Sequence, residues 1–231
     1  MNLLVPASEV ERRAALEAAE GRALELFAAI ETAGLIAPGR DESDVEKDIR
    51  DLAAREFGVE KHWHKRIVRS GPNSVTIAGD NPSARIIEAD DIVYLDLGPV
   101  FEDWEADIGK SYVLGSDPRK LALVAELPRQ FDRVQARFRA DPSITGAALY
   151  DFAVQSAQAA GWRFGGKIAG HIISEFAHAL IPGSKDLNRI APSNNAPMSD
   201  PDGNGKPRHW IGEIHLVDRD GAFGGFYERL L

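Results

Sequence analysis

The chain has 231 residues, 44% of them hydrophobic, which is enough for a globular protein with a full core, and the sequence predicts a single domain over residues 1–231. It contains no cysteine, which excludes disulfides, thiolate nucleophiles and iron–sulfur sites, so any metal must be held by carboxylate and imidazole. A net charge of −9 without a basic run argues against nucleic acid as the main partner, and the lack of a long apolar run or a basic-then-apolar start predicts no membrane span, no signal peptide in Met1–Glu9 and a cytoplasmic location.

Ser8-Glu9-Val10-Glu11 has the form of a capping box, and the Ala- and Leu-rich run behind it predicts a helix to about Ala33, before Gly34. Ser43-Asp44-Val45-Glu46 repeats the pattern and predicts a second helix to about Glu56, stopped by Gly58. Lys61 to Arg69 reads as a strand with His62 and His64 on one face, and Gly71-Pro72-Asn73 turns the chain.

Asp91 to Leu114 reads as a strand, a tight turn and a returning strand. A turn centred between Phe101 and Glu102 sets Asp96 directly opposite Asp107. Opposed like charges destabilise a hairpin unless something positive lies between them. The pair therefore reads as a metal site, as a solvated acidic face, or as a register off by one. On the face of Asp107 the neighbours are Gly109 and Ser111, small residues that would leave room for ions or substrate.

Ser116-Asp117-Pro118 starts a helix that reaches about Ala140, and Asp141-Pro142 breaks it. Thr145 caps the next, which runs to Ala160 before Gly161. Trp162 to Lys167 reads as a short strand, and Gly170-His171 opens an apolar run that reaches His178. Residues 184–208, rich in Pro, Asn, Ser, Asp and Gly, form one long loop, which is either a functional lid or a mobile insertion.

Asp220-Gly221 is the strongest short hairpin signal in the chain, and a two-residue turn there places Glu213 opposite Glu228. The plan of helix, helix, strand and carboxylate-bearing hairpin thus occurs twice. It predicts an α/β (α+β) fold of pseudo-twofold form, with two hairpins curving together under a cover of helices. Four carboxylates with one or two imidazoles offer ligands for two divalent metal ions, with manganese, iron, cobalt and zinc all suited to that donor set.

With Asp96, Asp107, His171, Glu213 and Glu228 in this order, the chain resembles the pita-bread metallopeptidases, namely methionine aminopeptidase, aminopeptidase P, prolidase and the related creatinase. The likeness also rests on Gly71-Pro72-Asn73, on Asp96-Leu97-Gly98 and on Asp107-Ile108-Gly109-Lys110-Ser111, where the family often has Asp-x-x-Arg-Thr. The resemblance implies the pita-bread fold in a short form, without the N-terminal domain of aminopeptidase P and creatinase. It implies that Asp96 binds one metal alone, that Asp107 and Glu228 bridge both, and that His171 and Glu213 complete the other. Glu213 would also help move the proton of a bridging water, and His178 matches the histidine that contacts substrate. The implied reaction is hydrolysis of an N-terminal or Xaa-Pro bond, in a short peptide or small amide, by a metal-bound hydroxide.

The chain departs from the family pattern in its pocket. Gly-His-Gly-Ile-Gly becomes Gly170-His171-Ile172-Ile173-Ser174, Glu-Pro-Gly becomes Glu213-Ile214-His215, and Ala78 stands where aminopeptidase P-type members carry a histidine. His215, on the face of Glu213, and His62 or His64 are each either a replacement for that imidazole or an ordinary strand histidine. Two other readings stand beside the hydrolase: a pita-bread domain kept as a binding module, and a creatinase-like amidohydrolase that works through histidine without metal. The last strand, ending three residues past Glu228, is expected to depend on hairpin pairing and metals for its anchorage. The oligomeric state stays open, a homodimer included.

Overall fold

The computed structural model describes residues 8–231, so the reading of Met1–Glu9 as free of a signal peptide lies almost wholly outside it. Ser8 caps α1 (Glu9–Thr32) with the complete capping box, its side chain accepting from the Glu11 N–H while Glu11 reaches back to the Ser8 N–H. The second helix, α2 (Glu42–Phe57), begins two residues before the position expected of a Ser43 cap. Asp41, in extended conformation, is the N-cap and accepts from the Ser43 N–H at 2.8 Å, which leaves Ser43 inside the first turn. Gly58, left-handed, ends the helix.

The expected strand at Lys61–Arg69 divides into β1 (Lys61–His62) and β2 (Ile67–Ser70). Between them the chain bends inward, with the Trp63 N–H donating to the Gly98 carbonyl at 2.9 Å. The first hairpin follows as β3 (Ile92–Leu97), β4 (Pro99–Phe101), β5 (Trp104–Glu105) and β6 (Ile108–Val113). Asp117 then caps α3 (Pro118–Ala140), at the helix start that Ser116-Asp117-Pro118 marks, and Thr145 caps α4 (Gly146–Ala159) as the sequence predicts. The short strands β7 (Arg163–Phe164) and β8 (Gly170–Ile173) lead to the long hairpin of β9 (His209–Val217) and β10 (Gly224–Leu230).

The main sheet has seven strands, ordered β2-β3-β6-β10-β9-β7, with β8 also paired to β9, and β1, β4 and β5 form a small second sheet. The chain's two halves therefore meet where β6 lies against β10, which is the pseudo-twofold plan expected. Side chains alternate across the strands. Val93, Leu95 and Leu97 of β3 face α1 and α2 in one apolar cluster, while Ile214 and Leu216 of β9 face α3 and α4 in another. Each such side chain, fully buried, contributes roughly 1.5–3 kcal/mol. The opposite face carries Tyr94, Asp96, Glu213, His215, Phe226 and Glu228, and the helices do not cover it.

One expectation about the second half is refined and one corrected. Residues 184–208 are tied to the body of the fold at their middle, where Ile190, Asn194 and Met198 are buried and the Trp210 indole donates to the Met198 carbonyl at 3.0 Å, and Arg189 of this segment lines the cleft. The segment is stitched to β8 by hydrogen bonds between Ile190 and the backbone of Ala169 and Gly170, at 2.7 and 2.8 Å. The strand β10 does not hang from its hairpin alone, because it pairs on both sides, with β9 and with β6. The Leu230 N–H donates to Glu20 Oε1 at 2.7 Å, the Leu231 N–H to the Trp210 carbonyl at 2.9 Å, and Arg13 to the Leu231 carbonyl at 2.9 Å. No helix among the described residues is long and apolar enough to cross a membrane.

Candidate metal centre

Asp96 and Asp107 share one face, but they are diagonal neighbours. Asp96 pairs with Gly109 and Leu97 with Ile108, because the turn is centred between Glu102 and Asp103, where Phe101 pairs with Trp104. Glu102 adopts a left-handed φ of 58°, a position that no Asn-Gly or Asp-Gly signal marks in this stretch. A register shift of two residues preserves the face of every side chain, so both carboxylates still point into the cleft. The small residues beside Asp107 serve a different purpose from the one expected. A Cβ on Gly109 would lie 2.5 Å from the Phe226 ring and 3.1 Å from Glu228 Cβ. Ser111 Oγ accepts from the Phe226 N–H at 2.7 Å and donates to the Phe226 carbonyl at 2.9 Å. Both residues admit β10, the strand that carries Glu228, and the space is not free for ions.

Glu213 and Glu228 do sit directly opposite one another. The loop between their strands is longer than two residues, closed by Asp218 N–H to the Phe223 carbonyl at 2.9 Å. It shares its centre with the shorter turn, so the register is the same.

His171 reaches the carboxylates from β8. Its Nε2 lies 3.0 Å from Asp107 Oδ2, 3.7 Å from Glu213 Oε1 and 3.9 Å from Glu228 Oε1. Its Nδ1–H donates to the Ile172 carbonyl at 2.7 Å, which fixes the ring orientation and turns Nε2 toward the cluster. Docking β8 this closely requires glycine before the histidine: Gly170 has φ 140°, and a Cβ there would lie 1.9 Å from the Ile211 carbonyl oxygen. His178 stacks on His171 with ring centroids 5.6 Å apart, and its Nδ1 is 2.6 Å from the fully buried Glu105. Sequence reasoning missed Glu105. It also gave too little weight to His64, whose Nε2 lies 3.2 Å from Asp107 Oδ1 and 3.4 Å from Asp96 Oδ1. The Trp63 indole lies edge-on to His64, His171 and His178, with centroids 4.4 to 5.0 Å away.

Charge crowding governs the protonation of this cluster. Burial, then the neighbouring carboxylates, push Glu228 well above the usual carboxylate range. Burial raises Asp96 to about 6 and Glu213 to about 7, against the opposing pull of His64 and His171. Asp107 goes the other way: burial would raise it, but His64 and His171 together hold it well below the ordinary value. Burial works to lower both histidines, yet Asp96 and Asp107 raise His64 to about 10, and Asp107 raises His171 to about 9. Glu228 Oε2 is buried without a hydrogen-bond partner.

Four carboxylates crowded at one site, one of them with an orphaned buried oxygen, are costly unless positive charge compensates them. Divalent ions fit this donor set. Two groups of ligand atoms each lie within 4.8 Å of one another: His64, Asp96 and Asp107 in one, and Asp107, His171 and Glu228 in the other.

The cluster opens on a cleft of about 360 Å³ whose walls include Ile77, Ala78, Tyr94, Lys167, Arg189 and Phe226. Arg69, buried beneath, holds the Ala78 wall by donating to the carbonyls of Ile77 and Asp80, both at 2.6 Å. Of the residues that depart from the family pattern, Ala78 lines this space, whereas Ile172, Ile173 and Ser174 do not. Ile172 and Ile173 fill apolar clusters, and Ser174 accepts from Arg12, so their bulk changes the core. His215 lines the cleft, but its Nε2–H donates to the Ser74 carbonyl at 2.9 Å, and burial lowers it to about 4, so the ring is neutral. His62 is outside the cleft with neither ring nitrogen bonded, and burial lowers it too to about 4.

The profile of Metallopeptidase family M24 matches residues 13–198. The chain belongs to that family. The matched span of this M24 chain includes Asp96, Asp107, His171 and His178, and stops before the hairpin that carries Glu213 and Glu228. Solved structures extend the likeness to nearly the whole chain. The X-Pro aminopeptidase of Thermotoga maritima MSB8 superimposes with a TM-score of 0.71 and 22% identity, over 96% of this chain and 58% of the other. The prolidase of Pyrococcus furiosus gives 0.70 and 20%, over 95% and 60% respectively. The methionine aminopeptidase of Thermotoga maritima gives 0.68 and 17%, over 100% of this chain and 94% of its own length. At these identities the likeness establishes the fold, which is the pita-bread fold, and this M24 chain spans about three-fifths of the first two proteins. No match was found among curated proteins.

Proposed function

We propose that this chain is a dinuclear metallohydrolase that removes an N-terminal residue from, or cleaves an Xaa-Pro bond in, a short peptide, with residues 1–231 acting as one domain. The observation that carries the reading is the convergence of Asp96, Asp107 and Glu228, all buried, and of half-buried Glu213 and His171 onto one cleft from five separate segments, with Glu228 Oε2 left unpaired. Asp96 and Asp107, with Glu228, Glu213 and His171, would hold the ions. Bound divalent ions supply Lewis acidity and a water of lowered pKa.

The remaining work falls to side chains. Glu213, which lines the cleft beside His171, is placed to take a proton from water and to return it to the leaving amine. His178, held at Nδ1 by Glu105, leaves Nε2 for the substrate. Tyr94, Phe226 and Ile77 give the cleft an apolar wall for a substrate side chain, and its volume suits a short peptide over a folded chain.

Metal analysis of the purified protein, paired with hydrolysis of a panel of N-terminal-Met and Xaa-Pro peptides, tests the reading. The expected result is two divalent ions per chain and turnover that a chelator abolishes. Metal-loaded protein that hydrolyses no peptide favours a binding module, and turnover indifferent to chelators favours a route through histidine alone.

A further inference from the structure

We propose that His64 is a sixth protein ligand of the metal centre, donating Nε2 to the ion held between Asp96 and Asp107, so that each ion takes one imidazole. The inference rests on reading the cleft as a metal centre and adds a ligand to it.

His64 and His171 are built alike. In each, Nδ1–H donates to the carbonyl of the following residue at 2.7 Å, Lys65 for His64 and Ile172 for His171. Each ring therefore turns Nε2 to carboxylate oxygens, the arrangement by which a backbone carbonyl orients a metal-binding histidine. For His64 those oxygens are Asp107 Oδ1 and Asp96 Oδ1, at 3.2 and 3.4 Å, and for His171 the nearest is Asp107 Oδ2, at 3.0 Å. Asp107 thus gives one oxygen to each side, and the two ligand groups divide at that carboxylate. Nε2 and two carboxylate oxygens this close need a positive centre between them, which a proton supplies in the metal-free chain and a bound cation would supply in its place.

The backbone is arranged to bring His64 there. The chain bends inward between β1 and β2, and the Trp63 N–H donates to the Gly98 carbonyl. Gly98 is where this entry depends on the missing side chain: a Cβ would lie 2.2 Å from His64 Cδ2 and 2.4 Å from Trp63 Nε1. Glycine immediately beyond the Asp96-bearing strand is thus what lets the imidazole lie against Asp96 and Asp107.

Calorimetric titration of the chelator-stripped full chain with Co(II), together with pulsed EPR of the Mn(II) form, tests the assignment. Wild type is expected to bind two Co(II) per chain and to show nitrogen couplings from two imidazoles. His64→Ala and the bulkier His64→Gln should each weaken one of the two ions at least ~10-fold while leaving the other, and remove one set of couplings. Gly98→Ala should act in the same direction, and His171→Ala should weaken the other ion. Two Co(II) in wild type, unchanged affinities in both His64 variants and a single imidazole coupling would overturn the role of His64 while leaving the metal centre standing. Tighter binding in the His64 variants would overturn it too, showing an imidazolium that merely competes with the ion. The wild-type EPR needs no variant to fold. A wild type that binds no Co(II) overturns both this inference and the reading beneath it.

Discussion

Glu228→Gln separates the cost of the carboxylate cluster from its use. In the metal-free protein burial first, and then Asp107, Asp96 and Glu213, push the Glu228 carboxyl toward its neutral form, and its Oε2 already lacks a partner. An isosteric neutral amide should therefore change metal-free stability little, within ~1 kcal/mol, or roughly 2–4 °C in Tm for a chain of this size. With metal the two proteins diverge. An ion present at a hundredfold excess over its Kd stabilises the folded state by ~2.7 kcal/mol, equivalent to a rise in Tm of roughly 5–11 °C. Glu228 belongs with Asp107 and His171 to one of the two ligand groups, so on the proposed reading the variant should lose at least half of that rise. Differential scanning calorimetry with chelator and with Mn(II) or Co(II) measures both quantities. An equal metal-induced rise in the two proteins refutes the ligand assignment, and a fall of much more than 4 °C in the metal-free variant refutes the upward shift of the Glu228 carboxyl.

Metal-free stability should decline as pH rises from about 7 to about 9. His171 at about 9 and His64 at about 10 bind protons more tightly when folded, so their contribution is full below 6.5 and is lost as pH rises through the folded values, while Glu213 at about 7 acts in the same sense but is spent by about pH 7. His62 and His215, both lowered to about 4, act in the opposite sense but only below their ordinary value of 6.5. Unfolding in chelator at a series of pH values checks this, and a flat or rising Tm across that window counts against it. Removal of metal should leave amide exchange at Phe226–Leu231 as slow as at Ile211–Leu216, since β10 is paired on both sides and tied to Glu20 and Trp210. Selective deprotection of Phe226–Leu231 would show that the ions hold the strand after all.

Local signals made the helices and the second hairpin readable. Ser8, Asp117 and Thr145 cap where capping chemistry places them, and Asp220-Gly221 fixes the register that opposes Glu213 to Glu228. The first hairpin was harder because Phe101-Glu102-Asp103-Trp104 contains no residue that favours a left-handed φ strongly enough to mark the turn, and Glu102 takes that conformation under the constraint of its neighbours. The face of Asp107 survived the error only because the slip was of two residues. The placement of His64 was hidden for a different reason. Lys61–Arg69 alternates like one strand, and the inward bend that breaks it depends on the absent side chain of Gly98, more than thirty residues away. Glu105 beneath His178 and Arg69 beneath the Ala78 wall are likewise long-range contacts that no spacing rule reports.

The junction of β6 with β10 sets a kinetic order on the acquisition of activity. Ser111 and Phe226, which bridge it, are 115 residues apart in sequence, while the pairs within each hairpin are local. Each half can close its own hairpin early, whereas joining the halves demands the closure of a very long loop and comes late. Asp96 and Asp107 belong to one half, and His171, Glu213 and Glu228 to the other. A nascent or partly folded chain therefore displays two incomplete acidic half-sites, and affinity for a cation should appear only in the final folding step, together with the closed sheet.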